Sequence, residues 1–332
     1  MIIPNLSILK KLITPGIFLG VLFSQSISNT IPVNTYSIVA YDEETGELGV
    51  AVQSHWFSVG FLVPWAKAGV GAVATQSFVK VDYGPDGLQL MEQGLSAEQA
   101  LAQLVSQDDG EAVRQVAMID VNGNVAAHTG SKCIEAAGHL IGENFSVQAN
   151  LMEKETVWPA MADAFESTDG DLADRMMAAL FAAENEGGDI RGKQSAAMLI
   201  VSGNPTGVDW KDVVMDIRVD DHPEPLNELK RLIRVQRAYI HANKGDHYLE
   251  INDIPSALKE YEIASNFYPE NPELPFWSAI TLASKGELEK AIPIFRTVFQ
   301  KEPKLKQLVP RLVNSGLLPD DDKLIQSIIS IE

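Results

Sequence analysis

Cysteine is nearly absent from this chain of 332 residues, which has Cys133 alone. A single cysteine excludes an intrachain disulfide and a cysteine-rich zinc or iron–sulfur site. Basic residues are also few, since 26 Lys and Arg face 45 Asp and Glu for a formal net charge of −19. This balance argues against a nucleic-acid binder and against an electrostatic membrane-surface binder, because both need clustered positive charge. The hydrophobic share of 45% is that of a folded core and argues against wholesale disorder.

The usual motifs of metal and nucleotide sites are missing as well. The sequence contains neither HxxxH nor HExxH, and it has no GxSxG elbow. The glycine-rich segments LGV and GVG lie inside predicted strands rather than at a strand-to-helix phosphate turn. The acidic run Asp220–His222 is assigned to a turn at the end of a strand. We therefore predict no metal and no cofactor.

Residues 1–28 have the order of a secretory signal peptide. Two lysines precede an apolar run of 12 residues, Leu12–Phe23, and small residues follow at Ser24, Ser26 and Ser28. The run is shorter than the about 20 residues that a membrane span needs. Cleavage after Ser26 or Ser28 predicts an exported protein, periplasmic or secreted, with no stable membrane span; an uncleaved anchor is the alternative.

From Asn34 to Pro225 the pattern is one of paired strands. Alternating or buried runs predict strands that are joined by turns such as EETGE and NGN, and helical spacing appears over 86–105 and about 156–186. The predicted strands are TYSIVAYD, LGVAVQS, GVGAVATQS, VAMID, VAAHTG, SAAMLIVSG and VVMDIRVDD. Because the helices fall between pairs of strands, the pattern favours an α+β layered sandwich over 34–225 rather than a Rossmann-type sheet.

A repeat of 34 residues follows in the region 226–332. Five positions recur in register: Gly245, Tyr248, Ala257, Tyr261 and Pro269 match Ala279, Leu282, Ala291, Phe295 and Pro303. This is the tetratricopeptide length, with small residues where paired helices touch and aromatic residues between them. We predict an all-α tetratricopeptide-like region capped by a helix at 226–242 and by the segment 305–330. Such a stack either binds a protein partner or serves as a stabilising or dimerising appendage.

Five sequence blocks resemble the bacterial family catalogued as domain of unknown function 1028. They run in the family's order between Thr35 and Leu232: TYSIVAYDEETGELGVAVQS, VPWAKAGVGAVATQ, HTGSKC, GGDIRGKQSAAMLIV and DIRVDDHPEPLNELKRL. That family is similar to the N-terminal-nucleophile hydrolase superfamily. The resemblance implies the four-layer αββα sandwich of that superfamily for residues 34–225. It implies no established reaction.

The superfamily's chemistry points to Thr35, which opens the first predicted strand. In such enzymes a Thr, Ser or Cys at the mature N-terminus attacks a carbonyl, and its own α-amine acts as the base. Thr35 lies seven residues before Asp42, the spacing of asparaginase-like members of the superfamily. Ser37 points to the same strand face and is either an orienting group or the nucleophile. A free Thr35 amine requires a second cut at Asn34–Thr35, by self-processing or by trimming.

The remaining candidates come from strand ends and one glycine-bracketed loop. Asn150, in QANLM, resembles an asparagine that other superfamily members use near the oxyanion, and an amide N–H donates there without titrating. Asp189 and Arg191 form a positioning pair, with Arg191 suited to clamping a carboxylate; the alternative is a buried pair that pins a loop. The substrate-binding candidates are Ser54, His55, Gln76 and Lys193.

Two functions from different classes follow. The first is an exported N-terminal-nucleophile amidohydrolase that acts on a small amide or peptide-like bond. The second is a non-catalytic exported binding or assembly module whose helical repeats recruit a protein partner. The resemblance and the short repeat stack are both compatible with a homodimer.

Overall fold

The computed structural model describes residues 31–332, which form one compact unit. The predicted signal peptide at 1–28 lies outside the described residues. The architecture is mixed α+β, with two antiparallel sheets and a helical C-terminal region. No helix within 31–332 combines the length and apolarity needed to cross a membrane.

The strands of the first sheet are β1 (Ile31–Val33), β4 (Pro64–Lys67), β5 (Gly71–Val79), β6 (Arg114–Asp120) and β7 (Val125–Thr129). Those of the second sheet are β2 (Thr35–Tyr41), β3 (Leu48–Ser54), β8 (Gly138–Gly142), β9 (Phe145–Ala149), β10 (Ser195–Val201) and β11 (Val213–Val219). The first sheet has the order β1-β5-β6-β7, and β4 also pairs with β5. The second has the order β11-β10-β3-β2-β9-β8.

The helices of the first part are α1 (Tyr83–Glu92), α2 (Ala97–Ser106), α3 (Val157–Ser167), α4 (Leu172–Asn185) and α5 (Asp209–Asp212). The C-terminal region contains α6 (Pro225–Glu250), α7 (Ile254–Phe267), α8 (Glu273–Ser284), α9 (Leu288–Lys301), α10 (Leu305–Leu308) and α11 (Asp322–Ile329). Short 3₁₀ turns lie at Val59–Phe61, Glu111–Val113 and Val309–Leu312.

Three apolar clusters set the order of the layers. Strand periodicity sends alternate side chains to opposite faces of each sheet, so each sheet has two apolar faces to cover. Helices α1 and α2 pack on the outer face of the first sheet through Val73, Met91, Leu101, Val116 and Met118. The two sheets face each other through Val39, Val50, Ala74, Ala117 and Ile119. Helices α3 and α4 cover the second sheet through Ile38, Phe165, Met176, Leu180 and Met198.

Two long helices predicted from periodicity are each two helices in the structure. The predicted helix at 86–105 breaks between α1 and α2, where Gly94 has a φ of +96° and Ser96 caps α2 with Gln99. The predicted helix at 156–186 breaks between α3 and α4, where Gly170 has a φ of +131° and Asp171 caps α4. Apolar spacing continues across both breaks because each pair of helices covers the same sheet. Four strands, β1, β4, β8 and β9, have no counterpart among the predicted strands.

The C-terminal region is built from helical hairpins, α6 with α7 and α8 with α9. A Cβ at Gly245 would lie 2.7 Å from the ring of Tyr261, so a small residue is required there. Ala279, Ala291 and Phe295, predicted as helix contacts, are fully buried. The predicted cap at 226–242 is the first half of the single helix α6 rather than a separate helix.

Helix α6 joins the two parts of the molecule. Its residues Leu226, Leu229 and Ile233 are buried in the cluster that α3 and α4 form on the second sheet. The segment after α9 packs against the α8–α9 cluster through Leu312, Leu318 and Ile328. A cut at residue 225 would therefore strip apolar cover from the second sheet.

Candidate active site around the Asn34–Thr35 peptide

Polar side chains fill one end of the space between the two sheets. The register aligns Thr35 with Ser54, and Ser54 with Ser195, across the second sheet. Seven fully buried side chains at this end form what we call the intersheet polar cluster: Thr35, Ser37, Ser54, Gln76, Gln115, Gln148 and Asn150. Buried polar groups are normally hydrogen-bonded, and each member makes at least one hydrogen bond, although Asn150 Oδ1 has no partner among residues 31–332.

Ser37 bridges two glutamines from opposite sheets. Its hydroxyl donates to Gln76 Oε1 at 2.6 Å and accepts from Gln148 Nε2 at 2.6 Å. The hydroxyl has one proton, and that proton is committed to Gln76. The geometry thus makes Ser37 a link between the two sheets.

The main-chain carbonyl of Thr35 is held by three donors. The backbone N–H of Asn150 lies 3.1 Å from Thr35 O, the Asn150 Nδ2 amide 3.4 Å and the Gln76 Nε2 amide 3.2 Å. The two side-chain amides also donate to Gln115 Oε1, at 2.8 Å from Asn150 and 2.7 Å from Gln76. Asn150, predicted as an oxyanion donor, therefore holds Thr35 itself in this arrangement.

The carbonyl of the preceding residue, Asn34, has a different pair of donors. Ser54 Oγ donates to Asn34 O at 2.5 Å, and Arg191 Nη2 donates to the same oxygen at 2.8 Å. One donor is a hydroxyl and the other is a guanidinium, whose charge strengthens the hydrogen bond. These two donors polarise the carbonyl of the Asn34–Thr35 peptide bond.

Asp189 fixes the position of Arg191. Arg191 Nε and Nη2 approach the two carboxylate oxygens of Asp189 at 2.9 and 2.6 Å. The Asp189 side chain is fully buried and also accepts from the backbone N–H of Arg191 at 3.0 Å and of His55 at 3.3 Å. A planar fork of this kind leaves Arg191 little freedom. The pair therefore pins the loop, as the alternative has it, and its role in positioning a substrate stays a prediction.

Thr35 is fully buried and is preceded by an ordered strand. Its Oγ1 donates to Val33 O at 3.0 Å, and Val33 pairs with Ser77 of β5. Its nitrogen belongs to the peptide bond with Asn34, so it is an amide in this chain. An amide nitrogen is not basic, and therefore Thr35 lacks the base that an N-terminal nucleophile supplies to itself.

Lys193 lies in a second polar group, apart from Asn34 O. Its Nζ pairs with Glu224 at 2.6 Å and with Glu184 at 3.7 Å, and the hydrogen bond to Glu224 raises the pKa of Lys193. Tyr36 donates to Glu184 Oε2 at 2.7 Å, and burial followed by the nearby carboxylate raises its pKa well above the ordinary value. Tyr36 faces the helices because it alternates with Thr35 along the strand.

His55 contributes its backbone rather than its ring. Its N–H donates to Asp189, whereas its buried Nδ1 has no hydrogen-bond partner among residues 31–332. A Cβ at Gly192, which has a φ of +107°, would lie 3.7 Å from that nitrogen. The loop therefore passes directly over the imidazole.

Gln115, Thr129, His139 and Gln148 also belong to this region, and none of them was predicted as a site residue. Gln115 Nε2 donates to Thr129 Oγ1 at 2.9 Å, and Thr129 Oγ1 lies 2.8 Å from His139 Nδ1. This path leads from the buried cluster to a histidine whose pKa is lowered by burial. Gln148 joins the cluster through its hydrogen bond to Ser37. A polar residue at an inward position of an apolar strand, as in RQVAMID and FSVQA, is the signal that would have identified both glutamines.

The pair of Asp189 and Arg191 yields a stability prediction. Arg191→Met leaves the buried carboxylate of Asp189 without its charged partner, and we expect a loss of about 3–5 kcal/mol in the free energy of unfolding in urea. Asp189→Asn combined with Arg191→Met removes the charge and should regain part of that loss. A loss below about 1 kcal/mol for Arg191→Met would contradict the role of the pair in fixing the loop.

Comparison with known proteins agrees with the span of the five sequence blocks, Thr35 to Leu232. The profile described as "Family of unknown function (DUF1028)" matches residues 35–229. The crystal structure of protein SPO2555 from Silicibacter pomeroyi, described with the same family, is similar at 33% identity and a TM-score of 0.55, covering 60% of this chain and 85% of that one. No curated protein matches this chain in sequence. Over residues 35–229, the chain belongs to the DUF1028 family of unknown function.

Proposed function

We propose that this protein is an exported amidohydrolase of the N-terminal-nucleophile type with Thr35 as its nucleophile. The layer order of helices, sheet, sheet and helices supports an αββα sandwich of that superfamily. The 34-residue spacing and the two helical hairpins support a tetratricopeptide-like tail. The signal-like sequence at 1–28 supports export.

The main observation in support of the proposal is that two side chains donate hydrogen bonds to the carbonyl oxygen of Asn34. Ser54 Oγ and Arg191 Nη2 converge on Asn34 O from 2.5 and 2.8 Å. Two donors on one carbonyl oxygen form the arrangement that stabilises the oxyanion of acyl transfer. The residue that follows this carbonyl is a threonine, and its hydroxyl donates to Val33 O at 3.0 Å, on the leader side of the same peptide bond. The peptide bond thus has both a polarised carbonyl and an adjacent nucleophile.

Self-cleavage of this bond proceeds in two steps. Thr35 Oγ1 forms a bond to the carbonyl carbon of Asn34, the C–N bond breaks, and the hydroxyl proton passes to the new amine. Water then hydrolyses the resulting ester, which leaves the carboxylate of Asn34 and restores the Thr35 hydroxyl. The products are a leader that ends at Asn34 and a mature chain that starts at Thr35.

The mature chain would carry its own base. A free α-amine has an ordinary pKa of about 7.7–8.0, so it accepts a proton near neutral pH. Ser54 and Arg191 would then polarise the carbonyl of the substrate. Gln76 and Asn150 hold the carbonyl of Thr35, which fixes the nucleophile against the cluster.

Substitutions at Thr35 and Ser54 test this proposal. Thr35→Ala should leave the chain uncut at Asn34–Thr35 and abolish any amidase activity, whereas Thr35→Ser keeps the hydroxyl and should retain both. Ser54→Ala removes one oxyanion donor and should slow cleavage by on the order of 10²–10³-fold. Intact mass over time measures cleavage, and a panel of amide substrates measures activity. Cleavage or activity that persists in Thr35→Ala would contradict the assignment.

The alternative is a binding module, and a groove in the C-terminal region favours it. The groove has a volume of about 550 Å³ and is lined by apolar side chains that include Leu249, Ile254 and Trp277. Asp246 and Glu250 lie at the groove with Lys285, so its charge is negative on balance. These features suit an apolar peptide segment with a basic residue, contributed by a partner protein.

Paired tryptophan substitutions test the binding alternative. Trp277→Ala should release a partner captured from the host's exported fraction, because Trp277 forms part of the groove. Trp210→Ala is the control, since Trp210 is 76% exposed and lies outside the groove. Equal capture by wild type and Trp277→Ala would remove the support for this function. Substitution is preferable to deletion of the tail, because α6 also covers the second sheet.

A further inference from the structure

The segment directly before Thr35 consists of the paired strand β1, residues 31–33, and the single residue Asn34. Residues 31–33 form β1, an antiparallel partner of β5 that matches Ile31 with Val79 and Val33 with Ser77. Strand β4 pairs with the other half of the same edge of β5, from Gly71 to Ala74, whereas β6 pairs along the opposite edge. Removal of the leader would therefore open a short stretch of strand edge at 77–79.

An open strand edge recognises an extended peptide. Its unpaired N–H and C=O groups add a new strand through main-chain hydrogen bonds, and pockets for alternate side chains provide the specificity. Here the stretch that would open lies directly beside Thr35, because β1 leads into β2 through Asn34 alone. A peptide added in the place of β1 would deliver its carbonyl to Ser54 and Arg191.

The two residues nearest to the bond are enclosed. Val33 is fully buried and belongs to the apolar cluster between the sheets with Val59, Val63 and Val79. Asn34 is 2% exposed, and its Oδ1 is buried without a hydrogen-bond partner among residues 31–332. The Val33 position thus favours an apolar side chain, and the Asn34 position encloses a small polar one.

We infer that residues 31–34 occupy the acyl site of the enzyme and that its substrate is an extended peptide rather than a free amino-acid amide. This inference rests on the proposed function. The peptide bond cleaved follows a small residue that is itself preceded by a valine-sized apolar residue. The leader is then the first substrate of the site, and the carboxylate that its cleavage leaves faces the Arg191 guanidinium.

The chemistry with a peptide substrate repeats the self-cleavage step. Thr35 Oγ1 forms an ester with the acyl carbon, the amide C–N bond breaks, and the leaving amine takes the proton that the α-amine of Thr35 has accepted from the hydroxyl. Water then hydrolyses the ester and releases the peptide carboxylate. Binding energy from the strand pairing and from the valine position acts at a distance from the reacting carbonyl, and such energy raises turnover as well as affinity.

A panel of three anilides tests the inference on the protein purified from its host, after N-terminal sequencing. The probe is acetyl-Ile-Pro-Val-Asn p-nitroanilide, which copies the chain's own residues 31–34. One control replaces valine by lysine, and the other is asparagine p-nitroanilide, which lacks the extension. We expect kcat/KM for the probe to exceed that of each control by at least about tenfold, the scale of one apolar side chain in a pocket.

The outcomes separate the inference from the function on which it rests. Equal hydrolysis of the probe and of asparagine p-nitroanilide would overturn the extended-peptide substrate while leaving the amidohydrolase in place. A chain that starts at Thr35 and hydrolyses other amides, but none of the three anilides, would also overturn the extended-peptide substrate and leave the amidohydrolase in place. A chain intact across Asn34–Thr35, or one that starts at Thr35 without any hydrolysis, would overturn both.

Discussion

One carbonyl oxygen, that of Asn34, ties the site to the fold. It is buried between two sheets and accepts from Ser54 at the end of β3 and from Arg191 on the loop before β10. The arginine reaches it because Asp189, fully buried, holds the guanidinium in a two-point fork. A carboxylate in the interior is tolerable only with such compensation, so the loop has little freedom to move away.

The intersheet polar cluster explains why both sheets are needed. Gln76 and Gln115 lie in the first sheet. Ser37 and Gln148 lie in strands of the second sheet, and Asn150 comes directly after β9. Hydrogen bonds join the side chains of Ser37, Gln76, Gln115, Gln148 and Asn150, so separation of the sheets would leave several buried polar groups unpaired at once. The apolar cluster alongside keeps the sheets together, and the polar end then aligns the Asn34–Thr35 peptide.

The sequence was sufficient for the elements that have clear periodicity. The alternation in TYSIVAY and LGVAVQS and the apolar run in SAAMLIV predicted three of the four inner strands of the second sheet. The start or end of a predicted strand led to Thr35, Ser54 and Gln76, whereas Asn150 came from the resemblance to the superfamily. Helix breaks at Gly94 and Gly170 were missed because apolar spacing persists across them.

The other features of the site depend on contacts between residues far apart in the sequence, which local patterns do not reveal. The contact of Arg191 with Asn34 spans 157 positions in the chain, and no local pattern encodes it. Asn150 was read as an oxyanion donor, yet the structure aims its amide at the carbonyl one residue farther along, that of Thr35. Lys193 follows the same loop as Arg191, but its side chain reaches Glu184 and Glu224 instead. The direction of each of these side chains depends on the contacts that hold its loop in the folded protein. Composition and spacing do not reveal those contacts.

Intact mass with N-terminal sequencing of the mature protein from its native host tests most directly whether the Thr35 amine becomes free. We expect a chain that begins at Thr35, with a free threonine amine next to Ser54 and Arg191. A chain that begins near Ile27 or Asn29 would contradict this expectation, because Thr35 would then remain in its peptide bond with Asn34.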